Sequence, residues 1–313
     1  MLAGRLRGRL EWPTLLLFIA CYGAFGLLTW SAEALPWWLL LPLGGGLVCL
    51  HGSLQHEALH GHPTRSPLVN ELLAAPALGL WFPYRRYARL HRQHHRNDRL
   101  TDPAEDPESY YLLPEHWAHT PPVLQALYRF NNTLLGRLAI GPAVSAVRFW
   151  RSEVRRMVAG EREVALAWLL HLPAVALVVW WVMGVCGIPG WQYLACFVYP
   201  GLALTLLRAF AEHRAHEEVE ARTVIVEAGP LFSLLYLNNN LHAAHHEYPA
   251  LAWYRLPAYY RARRAALLAA NGSYLLPGYG EVFRRYLLRA KESVPHPLLA
   301  RVGEAAAEPA GRR

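Results

Sequence analysis

The chain has 313 residues, of which 54% are hydrophobic and only 17% are charged, whereas about a quarter of the residues in a typical soluble domain are charged. Its net charge of +8 comes almost wholly from arginine, since Lys291 is the only lysine, and the arginines lie beside long apolar runs. This distribution argues against an ordinary soluble enzyme and a nucleic-acid-binding protein. It predicts a membrane protein whose arginines contact anionic lipid headgroups.

Four apolar runs are each about long enough to cross the hydrocarbon core of a bilayer as a helix: residues 14–30, 35–50, 164–185 and 191–211. The connections 31–36 and 184–190 carry no arginine, so the positive-inside rule predicts that they face away from the cytoplasm and that both termini lie in the cytoplasm. The basic start of the chain and Ala32-Glu33-Ala34 resemble a signal peptide, but we expect an uncleaved first span. The sequence therefore predicts a multi-pass protein of the bacterial inner membrane.

The remaining segments, 55–163 and 212 onward, are expected to form a cytoplasmic cap. Residues 68–82 are apolar but too short to span, and Pro67 and Pro83 bound them, so we predict a helix lying on or dipping into the membrane. No segment alternates polar and apolar residues as a strand does. The predicted fold is all-α and integral to the membrane, with four transmembrane helices in two hairpins and a helical cap. We expect one domain over residues 1–302 and a disordered tail over 303–313.

Most of the sixteen histidines fall into clusters with regular spacing. Histidines three or four residues apart share one face of a helix, so each cluster directs its imidazoles to one side. A further group, Glu212-His213-Arg214-Ala215-His216, begins at the end of the fourth apolar run and meets the same membrane level. Eight or more imidazoles exceed what one ion can use, which predicts two metal ions. The three main clusters are His56 with His60 and His62, His91 with His94 and His95, and His242 with His245 and His246.

These histidines have two other interpretations. A single cluster is often only a solvated helix face, but three clusters with related spacing on one predicted side argue against that reading. The motif His56-Glu57-x-x-His60 also fits a zinc protease, in which the glutamate is the general base; two further complete clusters would then have no role. The isolated histidines are expected to have structural or exposed positions, with His51 as a packing residue: His51, His116, His119, His171 and His296.

In the order and spacing of its clusters the chain resembles the membrane fatty acid desaturase family, from the first span to about Pro257. Asn238-Asn239-Asn240 and Trp253-Tyr254-Arg255-Leu256-Pro257 also resemble bacterial desaturase-like oxygenases and carotenoid ketolases. The resemblance implies a di-iron centre with one ligand from the end of the fourth span, which is His213 or His216, with His213 slightly favoured; His62 and His216 are further candidates. The implied ligands are His56, His60, His91, His94, His95, His213, His242, His245 and His246.

The resemblance further implies an enzyme that uses O2 and two external electrons to desaturate a fatty-acyl chain. The alternatives are a hydroxylase or ketolase of a lipid or carotenoid on the same scaffold, and an intramembrane zinc protease. Because the sequence has no His-Pro-Gly-Gly haem signature and no glycine-rich nucleotide fingerprint, the electrons are expected from a separate ferredoxin, cytochrome or reductase. The substrate is expected to be a long apolar chain whose head lies near the cytoplasmic arginines.

Carboxylates near the clusters are candidates for hydrogen bonds to the imidazole N–H groups that do not face the metal. For the two aspartates that precede prolines, a turn is the alternative explanation. The candidates are Glu57, Asp102, Asp106, Glu212 and Glu247.

Overall fold

The computed structural model describes residues 10–95 and 98–300. The predicted tail 303–313 and the N-terminal arginines lie outside the described residues. The described chain is mainly helical, as predicted. Its elements are α1 (Trp12–Trp30), α2 (Trp37–Leu59), α3 (Pro67–Ala74), α4 (Tyr84–His94), α5 (Pro114–Ala118), α6 (Pro122–Asn131), α7 (Leu134–Ala139), α8 (Gly141–Val158), α9 (Arg162–Val179), α10 (Gly190–Tyr193), α11 (Tyr199–Glu212), β1 (Ile225–Val226), α12 (Pro230–Leu235), α13 (His242–Glu247), α14 (Leu256–Ala270), β2 (Leu275–Leu276) and α15 (Tyr279–Tyr286).

Four helical stretches are long and apolar enough to cross a membrane, which confirms the number predicted from the sequence. The third continues from α9 through a π-helical turn, and the fourth runs through α10, a second π-helical turn and α11. Large apolar side chains on these stretches remain exposed on the isolated chain, as expected of surfaces that face lipid. The four stretches are Trp12–Trp30, Trp37–Leu59, Arg162–Val185 and Gly190–Glu212.

Helix α2 extends nine residues beyond the predicted end of its apolar run at Leu50. Hydropathy falls there because polar side chains begin, but these side chains find protein partners that keep the helix buried. Ser53 donates to the carbonyl of Leu235 at 2.8 Å, and Gln55 donates to that of Ala74 at 2.9 Å. The extension carries His56 on the last turns of the same helix that enters the membrane.

Helix α2 packs against both α1 and α11. The approach to the fourth helical stretch is close because glycines line the contact. A Cβ atom on Gly44 would lie 2.6 Å from a ring carbon of Phe197 in the π-helical turn before α11, and one on Gly201 in α11 would lie 2.5 Å from Val48. Small residues are the usual means of bringing two membrane helices together. The two helices that lead into His56 and His213 are therefore in direct contact.

The prediction of a purely helical chain needs a small correction. Strands β1 and β2 form a parallel pair with Ile225 opposite Leu275 and Val226 opposite Leu276. Each strand has only two residues, so no alternation of polar and apolar residues reveals it. Backbone bonds from Val226 N to Asn240 O and from Ala243 N to Val224 O, at 2.8 and 2.9 Å, tie the segment of α13 to this pair.

The segment 68–82 also differs from its prediction. The structure contains helix α3 over Pro67–Ala74, and the residues from Ala75 to Pro83 form turns without a regular helix. Pro76 accounts for the early end, because proline has no backbone N–H to continue the helical hydrogen bonds and its ring would clash with the carbonyl four residues earlier.

Candidate metal centre

Nine histidines converge in two groups, and within each group the potential ligand atoms lie within 4.8 Å of one another. Six of the nine side chains are buried and three are half-buried. The first group has five members and the second has four. The first consists of His56, His60, His91, His95 and His245, and the second of His94, His213, His242 and His246.

Helix geometry determines how the clusters divide. His91 and His95, four residues apart, contribute to the first group, whereas His94 between them contributes to the second. The third cluster divides in the opposite sense, since His242 and His246 enter the second group and His245 enters the first. Residues four apart on a helix lie almost above one another, so such a pair can reach one ion while the third residue faces another.

The supporting elements come from all parts of the chain. The last turns of α2 carry His56, and His60 is the residue that ends this helix. Helix α4 carries His91 and ends at His94, and α13 begins at His242. His213 directly follows α11 in an extended conformation.

The donor set fits metal ions. In the first group His91 Nε2 lies 3.2 Å from His60 Nε2 and 3.0 Å from His95 Nε2, and in the second His242 Nε2 lies 3.0 Å from the Nε2 atoms of His213 and His246. Two imidazole nitrogens bound at right angles to one ion, with bonds of about 2.1 Å, would lie about 3.0 Å apart.

Two unpaired imidazole nitrogens also indicate a metal site. His56 Nε2 and His94 Nε2 are buried and have no hydrogen-bond partner among the described residues. Buried polar atoms are seldom left unpaired, so an ion is a physical explanation for both. Imidazole nitrogens suit iron, and also zinc or copper.

Carboxylates and an amide orient three of the imidazoles through Nδ1. His91 lies 2.6 Å from Glu108 Oε1, His94 lies 2.9 Å from Asp106 Oδ1, and His242 lies 3.0 Å from Asn239 Oδ1. An Nδ1–H that donates in this way leaves Nε2 with a free electron pair for a metal.

Asp106 and Glu212 were sequence candidates for this role, and Glu212 Oε1 lies 3.4 Å from His242 Nδ1. Glu108 and Asn239 were missed. Asn239 could have been found, because it precedes His242 by three residues. Glu108 lies seventeen residues after His91, and no local spacing connects the two.

The other candidate carboxylates have different partners. Asp102 accepts from the backbone N–H of Ala104 at 2.8 Å, which is the turn considered as its alternative. Glu57 accepts from the backbone N–H of Trp253 at 3.1 Å. Glu247 accepts from Arg263 and from the hydroxyl of Tyr259.

Two candidate ligands lie outside both groups. His62 Nδ1 is 2.8 Å from Glu11 Oε2, and His216 Nδ1 accepts from the backbone N–H of Glu218 at 3.1 Å. Of the two histidines after the fourth span, the structure thus brings His213 and not His216 to the second group. The isolated His51 and His171 bond to Tyr22 and to the carbonyl of Leu80.

Burial keeps most of the imidazoles neutral. It lowers the pKa of His95 to about 3, and it lowers the pKa values of His242 and His245 well below the ordinary value. His94 is the exception: burial opposes its protonation, but the nearby carboxylates of Glu108 and Asp106 raise its pKa to about 9. Neutral imidazoles bind cations, and a metal takes the place of the proton on a ligand of higher pKa.

In a comparison with sequence models of protein families, the family described as fatty acid desaturase matches residues 32–277 of the chain. All nine histidines of the two groups lie inside that range. A comparison with curated proteins finds no match.

Proposed function

Because this chain belongs to the fatty acid desaturase family, we propose that it is a membrane-bound di-iron oxidoreductase that desaturates a fatty-acyl chain with O2 and two external electrons. The observation that carries the proposal is the convergence of nine histidines in two adjoining groups. A five-membered and a four-membered group suit two ions better than one. Overall, desaturation removes two hydrogen atoms from the chain and, with O2, two electrons and two protons, yields two waters.

The five-histidine group would hold one iron and the four-histidine group the other. When bound, iron supplies the redox chemistry that activates O2 toward an unactivated C–H bond. The side chains of this protein orient the ligands and exclude water. Asp106 and Glu108 fix the tautomers of His94 and His91, and the burial of both imidazoles limits access of bulk water to their Nε2 atoms.

The substrate is proposed to be a long-chain acyl lipid that enters from the membrane. Helix α2 supports this, because the same continuous helix is an apolar span and carries His56 of the five-histidine group. Helix α11 ends directly before His213 of the other group. An apolar chain lying between membrane helices would thus reach the level of both groups without crossing water.

A cavity of about 460 Å³ beside α4 supports the placement of an anionic head near the arginines. Five arginines and two glutamates contribute to its lining. Arg86 is neutralised by the buried Glu153 at 2.7 Å, and Arg85 pairs with Glu71 at 2.5 Å. Arg65 and Arg92 have no ion-pair partner in the part of the chain that the structure describes, so they remain available to a negatively charged head group.

The zinc protease alternative finds less support. His56 and His60 share their group with three further histidines, which leaves a mononuclear zinc site with more ligands than it needs. The carboxylate of Glu57, which would be the general base, accepts from the backbone of Trp253 instead.

The test combines metal analysis with product analysis. We expect close to two irons per chain, and we expect His91→Ala and His246→Ala to lose metal and activity. His171→Ala and His296→Ala should keep both, because these histidines lie outside the two groups. With a reducing partner, a product lighter by two hydrogens supports desaturation, and one heavier by one oxygen supports a hydroxylase instead. A single zinc that depends only on His56 and His60 would contradict the proposal.

A further inference from the structure

His213 differs from the other oriented ligands in how its ring is held. Its Nε2 lies 3.0 Å from His242 Nε2, but its Nδ1 is buried without a protein hydrogen-bond partner in the described residues. His91, His94 and His242 each have a carboxylate or amide oxygen within 3.0 Å of Nδ1. Metal-binding histidines are usually oriented through that second nitrogen. The position of His213 must therefore depend on its main chain.

The main chain around His213 is held by donors from distant segments. The carbonyls at the end of a helix lack intrahelical donors and need other partners. The carbonyl of Ala211 accepts from the hydroxyl of Tyr274 at 3.0 Å, and that of Glu212 accepts from the N–H of Val224 at 2.9 Å. The carbonyls of Phe210 and His213 both accept from the ammonium group of Lys291, the former at 2.7 Å.

Lys291 is the only lysine in the chain, and it is half-buried beside three aromatic rings. Its Nζ lies 5.4 Å from the ring centre of Tyr110, 5.7 Å from that of Phe210 and 6.0 Å from that of Tyr274. Such ring faces attract a cation. The backbone N–H of Lys291 donates to the carbonyl of Asn132 at 3.1 Å, which fixes the segment from which the side chain extends.

The residue after Lys291, Glu292, contacts the backbone on the C-terminal side of His213. Glu292 Oε1 accepts from the backbone N–H of Ala215 at 3.2 Å, and Glu292 Oε2 accepts from the hydroxyl of Tyr111. The hydroxyl oxygen of Tyr111 also accepts from the N–H of Ala215 at 2.8 Å. The Lys291–Glu292 pair thus holds the backbone both at His213 and two residues beyond it.

We propose that Lys291 is a positioning residue for the second metal ion, acting through the carbonyls of Phe210 and His213 to hold the His213 imidazole in the four-histidine group. The inference rests on the proposed di-iron function. A positive charge at the carboxyl end of α11 also interacts favourably with the helix dipole. The chain segment after α15 thereby becomes part of the support of the metal site.

A lysine suits this place better than an arginine. An ammonium group is a compact donor that can reach two carbonyl oxygens from one nitrogen, whereas a guanidinium is a planar fork that needs more room. The rings of Tyr110, Phe210 and Tyr274 surround the ammonium group closely. We therefore expect Lys291→Arg to replace the contact only in part.

The test is a titration of metal-free, detergent-purified protein with Co2+, followed by its visible absorption bands. The titration uses a parent protein that also carries His60→Ala and His95→Ala. These changes remove two ligands of the five-histidine group, so the Co2+ absorption reports binding at the four-histidine group. In that background Lys291→Met should weaken Co2+ binding by about 10–100-fold, as is usual when an outer partner of a ligand is removed. Lys291→Arg should lose less. A second parent protein carries His94→Ala, which damages the four-histidine group, so its Co2+ absorption reports the five-histidine group. In that protein Lys291→Met should leave the Co2+ affinity unchanged.

Arg222→Met is the matched control. Arg222 is similarly half-buried, and it donates to the carbonyls of His216 and Leu100 at 2.7 Å each without contacting His213. We expect it to leave Co2+ binding unchanged. If Lys291→Met does not fold, Lys291→Gln takes its place, with a loss in the same direction.

The outcomes separate this inference from the proposed function. Unchanged affinity in the Lys291 variants would overturn the positioning role and leave the di-iron proposal standing. An equal loss in Arg222→Met would also overturn it, because general tethering of the loop would then explain the effect. If the parent protein binds no ion at the four-histidine group, both the proposed function and this inference fail.

Discussion

At the scale of single residues, Asp102 and Asp106 are nearly indistinguishable in the sequence, since each follows the second histidine cluster and precedes a proline. The fold gives them different surroundings. Asp106 is buried, lies 2.9 Å from His94 Nδ1 and accepts from the N–H groups of Thr101 and Glu108 at 2.8 and 2.9 Å. Asp102 accepts from Ala104 in a turn. Only Asp106 is placed to orient an imidazole.

This difference predicts unequal effects of removing the two carboxylates. Asp106→Ala should weaken metal binding at the four-histidine group by about 10–100-fold, because His94 loses the acceptor on Nδ1. Asp102→Ala should bind metal as the parent protein does. Iron content and Co2+ titration of the two purified variants measure the effect, and equal behaviour of the pair would show that the contact with His94 has no influence on the metal.

At the scale of elements, the contact of α2 with α11 aligns helices that lead to different histidine groups. Gly44 lies where α2 meets the π-helical turn that leads into α11: an added Cβ would lie 2.7 Å from the backbone oxygen of Cys196 and 2.6 Å from the ring of Phe197. A backbone atom cannot move aside as a flexible side chain can. Gly46, two residues along the same helix, faces open space within 4 Å.

Gly44→Ala should therefore destabilise the protein by about 1–3 kcal/mol, the usual cost of overfilling a well-packed contact. Gly46→Ala is the matched control and should have equal or slightly higher stability, because alanine favours the helix more than glycine does. Thermal unfolding in detergent, followed together with metal content, measures both variants. A Gly44→Ala protein as stable as its Gly46→Ala counterpart would contradict the close approach of α2 and the π-helical turn before α11.

Metal removal should loosen particular elements. Helices α4 and α13 supply five of the nine histidines, and His95, directly after α4, is the sixth from these two segments. A bound ion stabilises whatever structure it requires, so its loss should speed hydrogen exchange in these segments and in the chain after His213. Helix α1, which carries none of the nine ligands, should change little. Exchange measured with and without chelator tests this, and Fe2+ should restore protection where Mg2+ does not.

At the scale of the whole molecule, four candidate spans place an even number of crossings between the ends of the described chain. Both ends should then face the same side of the membrane. The arginine distribution predicts that this side is the cytoplasm and that it also carries the metal site.

Cysteine labelling tests this orientation. Glu33 is exposed in the connection between α1 and α2, and His119 is exposed in the segment between α4 and α9. The background protein has Cys186 replaced by serine, and the cells are converted to spheroplasts, which lack the outer membrane but keep the inner membrane intact. A thiol reagent that cannot cross the inner membrane should then label Glu33→Cys and not His119→Cys. The reverse pattern would invert the topology, and labelling of both in intact spheroplasts would contradict the four-span arrangement.

Features that depend on local spacing were predictable from the residues alone. Runs of about 20 apolar residues identified the four spans, and three- and four-residue intervals identified the clusters, because helix geometry relates such residues directly. The extension of α2 to Leu59 and the strands β1 and β2 were not predicted, because hydropathy carries no record of partners such as Leu235 for Ser53.

The division of the histidines between the two groups, and the presence of His213 rather than His216 in one of them, became visible only in the folded chain. It also supplied Glu108 for His91 and Lys291 for the carbonyl of His213, across 17 and 78 positions of sequence. Each of these contacts depends on where separate helices end in space. No interval along the chain encodes that meeting point, because it results from the packing of helices such as α2 and α11 against each other.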